Sequence, residues 1–140
     1  MPKVYTMGYY GKGVSEIQRL ALSLNAVVFD IRLSPTSRQP QFSGRNLSRV
    51  LGDRYRHVRS LGNLNYKGGR VQIADFEAGF HQIVESQQAV ILLCVCKHAE
   101  KCHRTIIAQM LRERGIEVVE VDGSRCDPEV RAMQQLRMGL

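Results

Sequence analysis

Two almost unbroken apolar segments constrain the fold of this chain more than any other feature. Residues 26–31 and 89–96 consist almost entirely of hydrophobic side chains, without alternation between polar and apolar positions. Strands of this kind are buried on both faces, as in parallel sheets that are covered by helices. The longer segment has only eight residues, far fewer than the roughly 20 that a membrane-spanning helix needs. We therefore expect a globular α/β fold rather than a membrane protein.

Segments in which apolar residues have helical spacing lie between these two strands and three weaker strand patterns. Strands are predicted at 3–7, 26–31, 55–58, 89–96 and 116–121, and helices at 16–23, 43–51, 76–84, 105–114 and 128–137. Ser15 and Ser43 are candidate N-caps, and Gly115 is a candidate C-terminal cap. The alternation predicts one α/β domain over residues 1–140, with a mostly parallel sheet of about five strands and helices on both faces. A chain of 140 residues suits a single domain.

The positive charge of the chain is concentrated in one central segment. The formal net charge is +7, and residues 32–70 contain nine basic residues but a single acidic one. Such a segment predicts an electropositive surface for a phosphate-bearing partner such as nucleic acid. Three aromatic side chains within it, Phe42, Tyr55 and Tyr66, would then be available to stack on bases. Alternatively, it is a solvated face whose acidic complement comes from elsewhere in the fold or from another subunit. The predicted nucleic-acid surface comprises Arg45, Arg49, Arg54, Arg56, Arg59, Lys67 and Arg70.

Polar residues follow the second predicted strand where it ends. In parallel α/β sheets, ligands bind beyond the carboxyl ends of the strands. Arg32, Ser37 and Arg38 are therefore candidate anion-binding residues on a loop that Pro35 stiffens. Asp30 is a candidate catalytic base, or it orients Arg32 or a loop N–H group.

Cys102, His103 and Arg104 stand where the fourth helix is expected to begin. Unpaired N–H groups at a helix N-terminus bind anions and lower the pKa of a thiol. Cys102 is thus a candidate nucleophile, His103 a candidate catalytic partner and Arg104 a candidate anion ligand. In the alternative interpretation, Cys102 is a small buried side chain and His103 lies on the surface. We expect Cys94 and Cys96, on the most apolar strand, to be buried and slow to react.

Cysteine and histidine usage bears on metals and on location. The four cysteines are not dispersed like the disulfide framework of a secreted domain, and the N-terminal residues do not resemble a signal peptide. We therefore expect a cytoplasmic protein. Cysteines and histidines in residues 94–103 suggest zinc, but the paired spacing of common zinc sites is incomplete. We expect no metal and no cofactor.

The segment 61–70 has three glycines and no apolar period, so it is expected to be a mobile loop near the site.

Motifs along most of the chain resemble the domain-of-unknown-function family 488. The matching pieces include Tyr5-Thr-Met-Gly8, Asp30-Ile-Arg32 with Pro35 and Ser37-Arg38, and Cys102-His-Arg104. The resemblance implies one α/β domain with these polar motifs gathered at one end of the sheet, but it implies no agreed activity. The family usually has His-Ser where this chain has Tyr9-Tyr10, and an acidic residue where it has Cys96.

Three functions are compatible with these patterns. The first is a module that binds or processes a phosphate-bearing partner, such as nucleic acid or a nucleotide, through the basic segment and the Cys-His-Arg helix start. The second is a small thiol enzyme for sulfur or phosphoryl transfer with Cys102 as the nucleophile. The third is a non-catalytic protein-interaction module. Whether the protein is an enzyme stays open, no membrane partner is expected, and a homo-oligomer is compatible with the sequence.

Overall fold

The computed structural model describes residues 2–9, 11–95 and 102–121. The strands within them are β1 (Val4–Gly8), β2 (Ala26–Asp30), β3 (Tyr55–His57), β4 (Ala89–Cys94) and β5 (Val118–Val121). The α-helices are α1 (Val14–Leu24), α2 (Gly44–Leu51), α3 (Phe76–Val84) and α4 (His103–Glu113). Short 3-10 helices lie at Pro40–Phe42, Gly52–Arg54 and Arg59–Leu61.

The five strands form one parallel sheet in the order β3-β2-β4-β1-β5. Alternate residues of β4 enter two separate hydrophobic clusters. Val90 and Leu92 pack with residues of α3 and α4, whereas Ile91 and Leu93 pack with residues of α1 and α2. The apolar run in β4 is thus buried on both faces, and the predicted α/β fold with a parallel five-stranded sheet is confirmed.

The sheet has a topological switch at β4. The chain leaves β1 and β2 toward helices on one face, but it leaves β4 toward α4 on the opposite face. Because β4 lies between β1 and β2, connections diverge on both of its sides. A crevice forms at the carboxyl ends of strands where connections diverge in this way. In the register, Gly8 lies opposite Cys94, and Asp30 lies opposite Leu93.

Local capping explains most helix boundaries. Ser43 Oγ accepts a hydrogen bond from the N–H of Asn46 at 3.2 Å, which confirms the predicted start of α2. The expected cap at Ser15 is wrong, because Gly13 takes the N-cap position of α1 and the Glu16 side chain accepts its N–H. Helix α4 begins two residues before the predicted position, since Cys102 has the extended backbone of an N-cap.

The last described strand also differs from its prediction. Ile116 belongs to the cap of α4 rather than to β5, because its N–H bonds to the carbonyl of Leu111 at 3.1 Å. The N–H of Gly115 bonds to Arg112, and Gly115 has a φ of 82°. Together these bonds form a Schellman motif, in which the apolar Ile116 packs back on the helix. Its hydrophobicity therefore resembles that of a strand residue although its backbone closes a helix.

Several predictions lie outside the described residues. They concern Cys96, residues 96–101 of the cysteine- and histidine-containing segment 94–103, and the helix at 128–137. Strand β4 ends at Cys94, two residues earlier than predicted. No helix among the described residues has the length and hydrophobicity that crossing a membrane requires.

Candidate functional site

A cavity of about 800 Å³ opens at the carboxyl ends of β1, β2 and β4. It lies at the topological switch, as the general rule for open parallel sheets predicts. Its size is in the range of pockets that hold small molecules. The lining residues are Tyr9 and Gly11 after β1; Arg32, Leu33, Ser34, Thr36, Ser37, Arg38 and Gln39 after β2; Asn63 and Tyr66 from the loop; and Cys94, Val95 and His103.

A buried ion pair on the α2 side of the sheet supports one wall of the cavity. Arg32 donates from Nε to Asp30 Oδ1 at 2.8 Å and from Nη2 to Oδ2 at 2.6 Å. The hydroxyl of Tyr55 donates to Oδ2 at 2.7 Å, and the N–H of Arg32 donates to Oδ1. Asp30 is fully buried, accepts four hydrogen bonds and does not line the cavity. This geometry favours the orienting role of Asp30 over the role of a base.

Electrostatics in this wall follow from the buried carboxylate. Burial alone would lower the pKa of Arg32, but the hydrogen bond and the charge of Asp30 raise it well above its ordinary value. Burial raises the pKa of Tyr55, and the hydrogen bond to Asp30 raises it further. Arg32 is therefore a fixed cation. Its Nη1 donates to the Thr36 carbonyl at 3.2 Å, so it also holds the loop that follows β2.

A second buried network lies on the α4 side of the sheet. Arg104 is fully buried and donates from Nη2 to Glu120 Oε1 at 2.9 Å, while Thr6 donates to the other carboxylate oxygen. Arg104 Nη1 donates to Cys94 Sγ at 3.1 Å. Burial alone would lower the pKa of Arg104, but the hydrogen bonds and charges of Glu120 and Cys94 raise it well above its ordinary value. Arg104 thus lies behind Cys94 and is not a lining residue of the cavity.

Cys102 and His103 lie between these two networks. Cys102 Sγ lies 2.8 Å from Cys94 Sγ and 3.8 Å from His103 Nδ1. His103 Nε2 lies 2.9 Å from the carbonyl oxygen of Ile31, which accepts only from a protonated nitrogen. That contact places a proton on Nε2, and Nδ1 is the ring nitrogen that faces the thiol. Cys102 is buried and does not line the cavity, whereas His103 is buried but does line it.

The predicted anion-binding and nucleic-acid residues are distributed more widely. Arg38 and Ser37 line the cavity, and Arg38 is exposed with no ion pair or hydrogen bond to any described residue. Arg54 instead bonds to Asn25 and to the carbonyl of Ala26, at the amino end of β2 and the opposite edge of the sheet. The other predicted nucleic-acid residues are exposed and lie outside the cavity lining: Arg45, Arg49, Arg56, Arg59, Lys67 and Arg70.

The loop at 61–70 lies near the cavity, as expected. Asn63 and Tyr66 line it, and the Tyr66 side chain is 64% exposed. Asn63 Oδ1 accepts the N–H groups of Asn65 and Gln72, and Asn63 pairs with Ile73 in an antiparallel bridge. These bonds tie the two ends of the loop together, which positions Tyr66 at the cavity mouth.

The sequence placed Cys94 and Thr6 among the polar residues near the carboxyl ends of the strands but gave neither a chemical role, and it gave no indication of Glu120 as a partner of Arg104. The available signal was position, because Cys94 ends the central strand and Arg104 follows in the first turn of the next helix. Glu120 gave a weaker signal as a carboxylate in an apolar strand. Among the described residues, no group of three or more histidines, cysteines or acidic residues is arranged to hold a metal ion.

Comparison with known families covers most of this site. A family model described as "Domain of unknown function DUF488" matches residues 17–82, and one described as "Active DUF488-N3 subclade" matches residues 78–115. Residues 17–115 match models of the DUF488 family. The first DUF488 match contains Asp30, Arg32 and Arg38, and the second contains Cys94 and residues 102–104, so the resemblance noted from the motifs is confirmed. No curated protein and no solved structure matches the chain.

Proposed function

We propose that this DUF488 protein is a thiol-dependent enzyme that binds a small phosphate-bearing ligand in the cavity and uses Cys94 as its nucleophile. The observation that carries the proposal is the contact between Arg104 Nη1 and Cys94 Sγ at 3.1 Å, at the wall of the cavity. A thiolate is the reactive form of cysteine, and a neighbouring cation stabilises it relative to the thiol. The nucleophile of the earlier hypothesis, Cys102, lies behind Cys94.

The surroundings of Arg104 make it a fixed partner for a thiolate. Glu120 holds Nε and Nη2, and Thr6 in turn holds Glu120. Nη1 consequently keeps one direction, toward Cys94. Because Arg104 is fully buried, water screens this interaction little. A preorganised cation of this kind favours nucleophilic catalysis, since no side chain has to rearrange when the thiol ionises.

The cavity rim supports an anionic ligand. Arg38 provides an exposed guanidinium, whose planar donors suit phosphate oxygens, and Ser37 lies beside it. Tyr66 exposes most of its ring at the mouth, where a base can stack. A nucleotide therefore matches the volume, the charge and the aromatic face. The basic protein surface outside the cavity supports a second candidate function, which is binding of a nucleic-acid strand that reaches the same mouth.

Alkylation kinetics test the proposed nucleophile. Limiting iodoacetamide near neutral pH, followed by peptide mass spectrometry, should modify Cys94 first, and inorganic pyrophosphate should slow that reaction. Arg104→Gln should slow alkylation of Cys94 by about tenfold or more, whereas Arg112→Gln, on the same helix but away from Cys94, should not. Preferential labelling of another cysteine, or a rate insensitive to Arg104, would refute the assignment.

The ligand class needs a separate measurement. Calorimetric titration with nucleoside monophosphates should give binding that weakens in Arg38→Ala and in Tyr66→Ala. Arg45→Ala, which removes an exposed cation outside the cavity lining, is the matched control and should leave binding unchanged. Equal weakening in all three variants would mean that general charge, and not the cavity, binds the ligand.

A further inference from the structure

The sulfur atoms of Cys94 and Cys102 are in direct contact, which a role for Cys94 alone as nucleophile does not require. Their separation is 2.8 Å, and both residues are buried. A disulfide bond is about 2.05 Å long, so an approach of under about 1 Å would join them. They come from different elements, the last residue of β4 and the N-cap of α4. The pair therefore brings together two thiols that are eight residues apart in the chain.

The two thiols have different surroundings, which suits different chemical roles. Cys94 is a lining residue of the cavity and contacts the Arg104 guanidinium. Cys102 is not a lining residue and occupies the N-cap position of the 11-residue helix α4. His103 Nδ1 lies 3.8 Å from Cys102 Sγ.

We propose that Cys94 and Cys102 are a redox-active pair, with Cys94 as the attacking thiol and Cys102 as the resolving thiol, and that the site takes small anionic disulfides as substrates. This inference rests on the proposed role of Cys94 as the nucleophile. The inference adds the class of substrate. A second thiol in contact with Cys94 can release a substrate sulfur that has become bonded to Cys94.

The reaction balances in two exchange steps. The Cys94 thiolate attacks one sulfur of the substrate disulfide, whose S–S bond breaks, and one substrate thiolate leaves. Cys102 then gives its proton to His103 Nδ1 and attacks Cys94 Sγ, so that the Cys94–Cys102 bond forms and the second substrate thiolate leaves. The protein loses two electrons to the substrate disulfide, which leaves as two thiolates, and the proton from Cys102 stays on His103 Nδ1 until a released thiolate or water takes it. A separate dithiol compound then returns the protein to its reduced form by the reverse exchange, in which the dithiol itself becomes a disulfide.

An aromatic anionic disulfide, 5,5′-dithiobis(2-nitrobenzoate), tests the pair directly. The parent protein for this test carries Cys96→Ser and Cys126→Ser, so that only the two thiols of the pair remain. One equivalent of reagent should release two thionitrobenzoates per chain and leave an internal disulfide that peptide mass spectrometry detects. The second release should not depend on reagent concentration, because it is intramolecular. Adding Cys102→Ser should leave one release and a stable adduct on Cys94.

The outcomes separate this inference from the function on which it rests. A stable single adduct on Cys94 of the parent protein, or separate adducts on both thiols, would overturn the redox pair and leave the Cys94 nucleophile intact. No release at all would overturn both. The result for the parent protein does not depend on any substitution at Cys94 or Cys102. If Cys102→Ser misfolds, Cys102→Ala with an unchanged circular dichroism spectrum replaces it. A His103→Gln variant should slow the second release more than the first.

Discussion

Replacement of Asp30 tests the buried ion pair that supports the cavity wall. Asp30→Asn keeps the shape of the side chain but removes the charge that compensates Arg32. Asp30 is fully buried and Arg32 is 6% exposed, so water cannot replace the lost partner. Breaking one side of such a pair costs about 3–5 kcal/mol. For a domain of this size, that free energy corresponds to a fall in Tm of about 10–20 °C.

Urea denaturation followed by circular dichroism measures this loss. Glu77→Gln is the matched control, because it breaks the ion pair with Arg114 on an exposed surface, where pairing contributes little. Adding Arg32→Met to Asp30→Asn should restore part of the stability, since the unpaired buried cation is then gone. The reasoning is refuted if Asp30→Asn has the same denaturation midpoint as the control, or if the double variant is less stable than the single one.

Three further predictions follow from contacts away from the cysteines. The pKa of Tyr55 is raised in the folded state, so its contribution to stability is fully present below about pH 10 and is lost as the pH rises further; an ultraviolet titration should lose its latest phase in Tyr55→Phe. Arg54→Ala should destabilise the fold by about 1 kcal/mol, because its hydrogen bonds at the amino end of β2 are lost. Arg59→Ala should leave thermal stability unchanged and should instead flatten the salt dependence of nucleic-acid binding. A Cβ at Gly62 would lie 2.6 Å from the backbone of the loop after β2, so Gly62→Ala should cost about 1–3 kcal/mol in urea denaturation, and an unchanged midpoint would contradict that close approach.

Local pattern was sufficient for most of the fold. The uninterrupted apolar residues of β2 and β4 require helices on both faces, and helical spacing supplied them. Ser43 and Gly115 marked helix ends because their chemistry acts on neighbouring backbone groups. The errors occurred where a residue served a neighbouring element. Ile116 looked like a strand residue because it is apolar, but its N–H closes α4.

The candidate site was predictable only in part, for a related reason. Residue type and strand order place Arg32, Arg38 and His103 near one edge of the sheet, and each of them lines the cavity. The same argument could not rank the two cysteines. The thiol at a helix start is the more conspicuous one in sequence, yet Cys94 lines the cavity and Cys102 does not.

The amino-acid sequence by itself determined the alternation of strands and helices, the parallel sheet and the edge at which polar residues gather, because these depend on hydrophobic period and local capping. Only the tertiary structure decided which side chains pair. Glu120 of β5 binds Arg104 of α4, and Arg104 in turn contacts Cys94 of β4. Such partners depend on how strands distant in sequence are set beside one another, and the burial that makes their charges matter exists only once the helices cover the sheet.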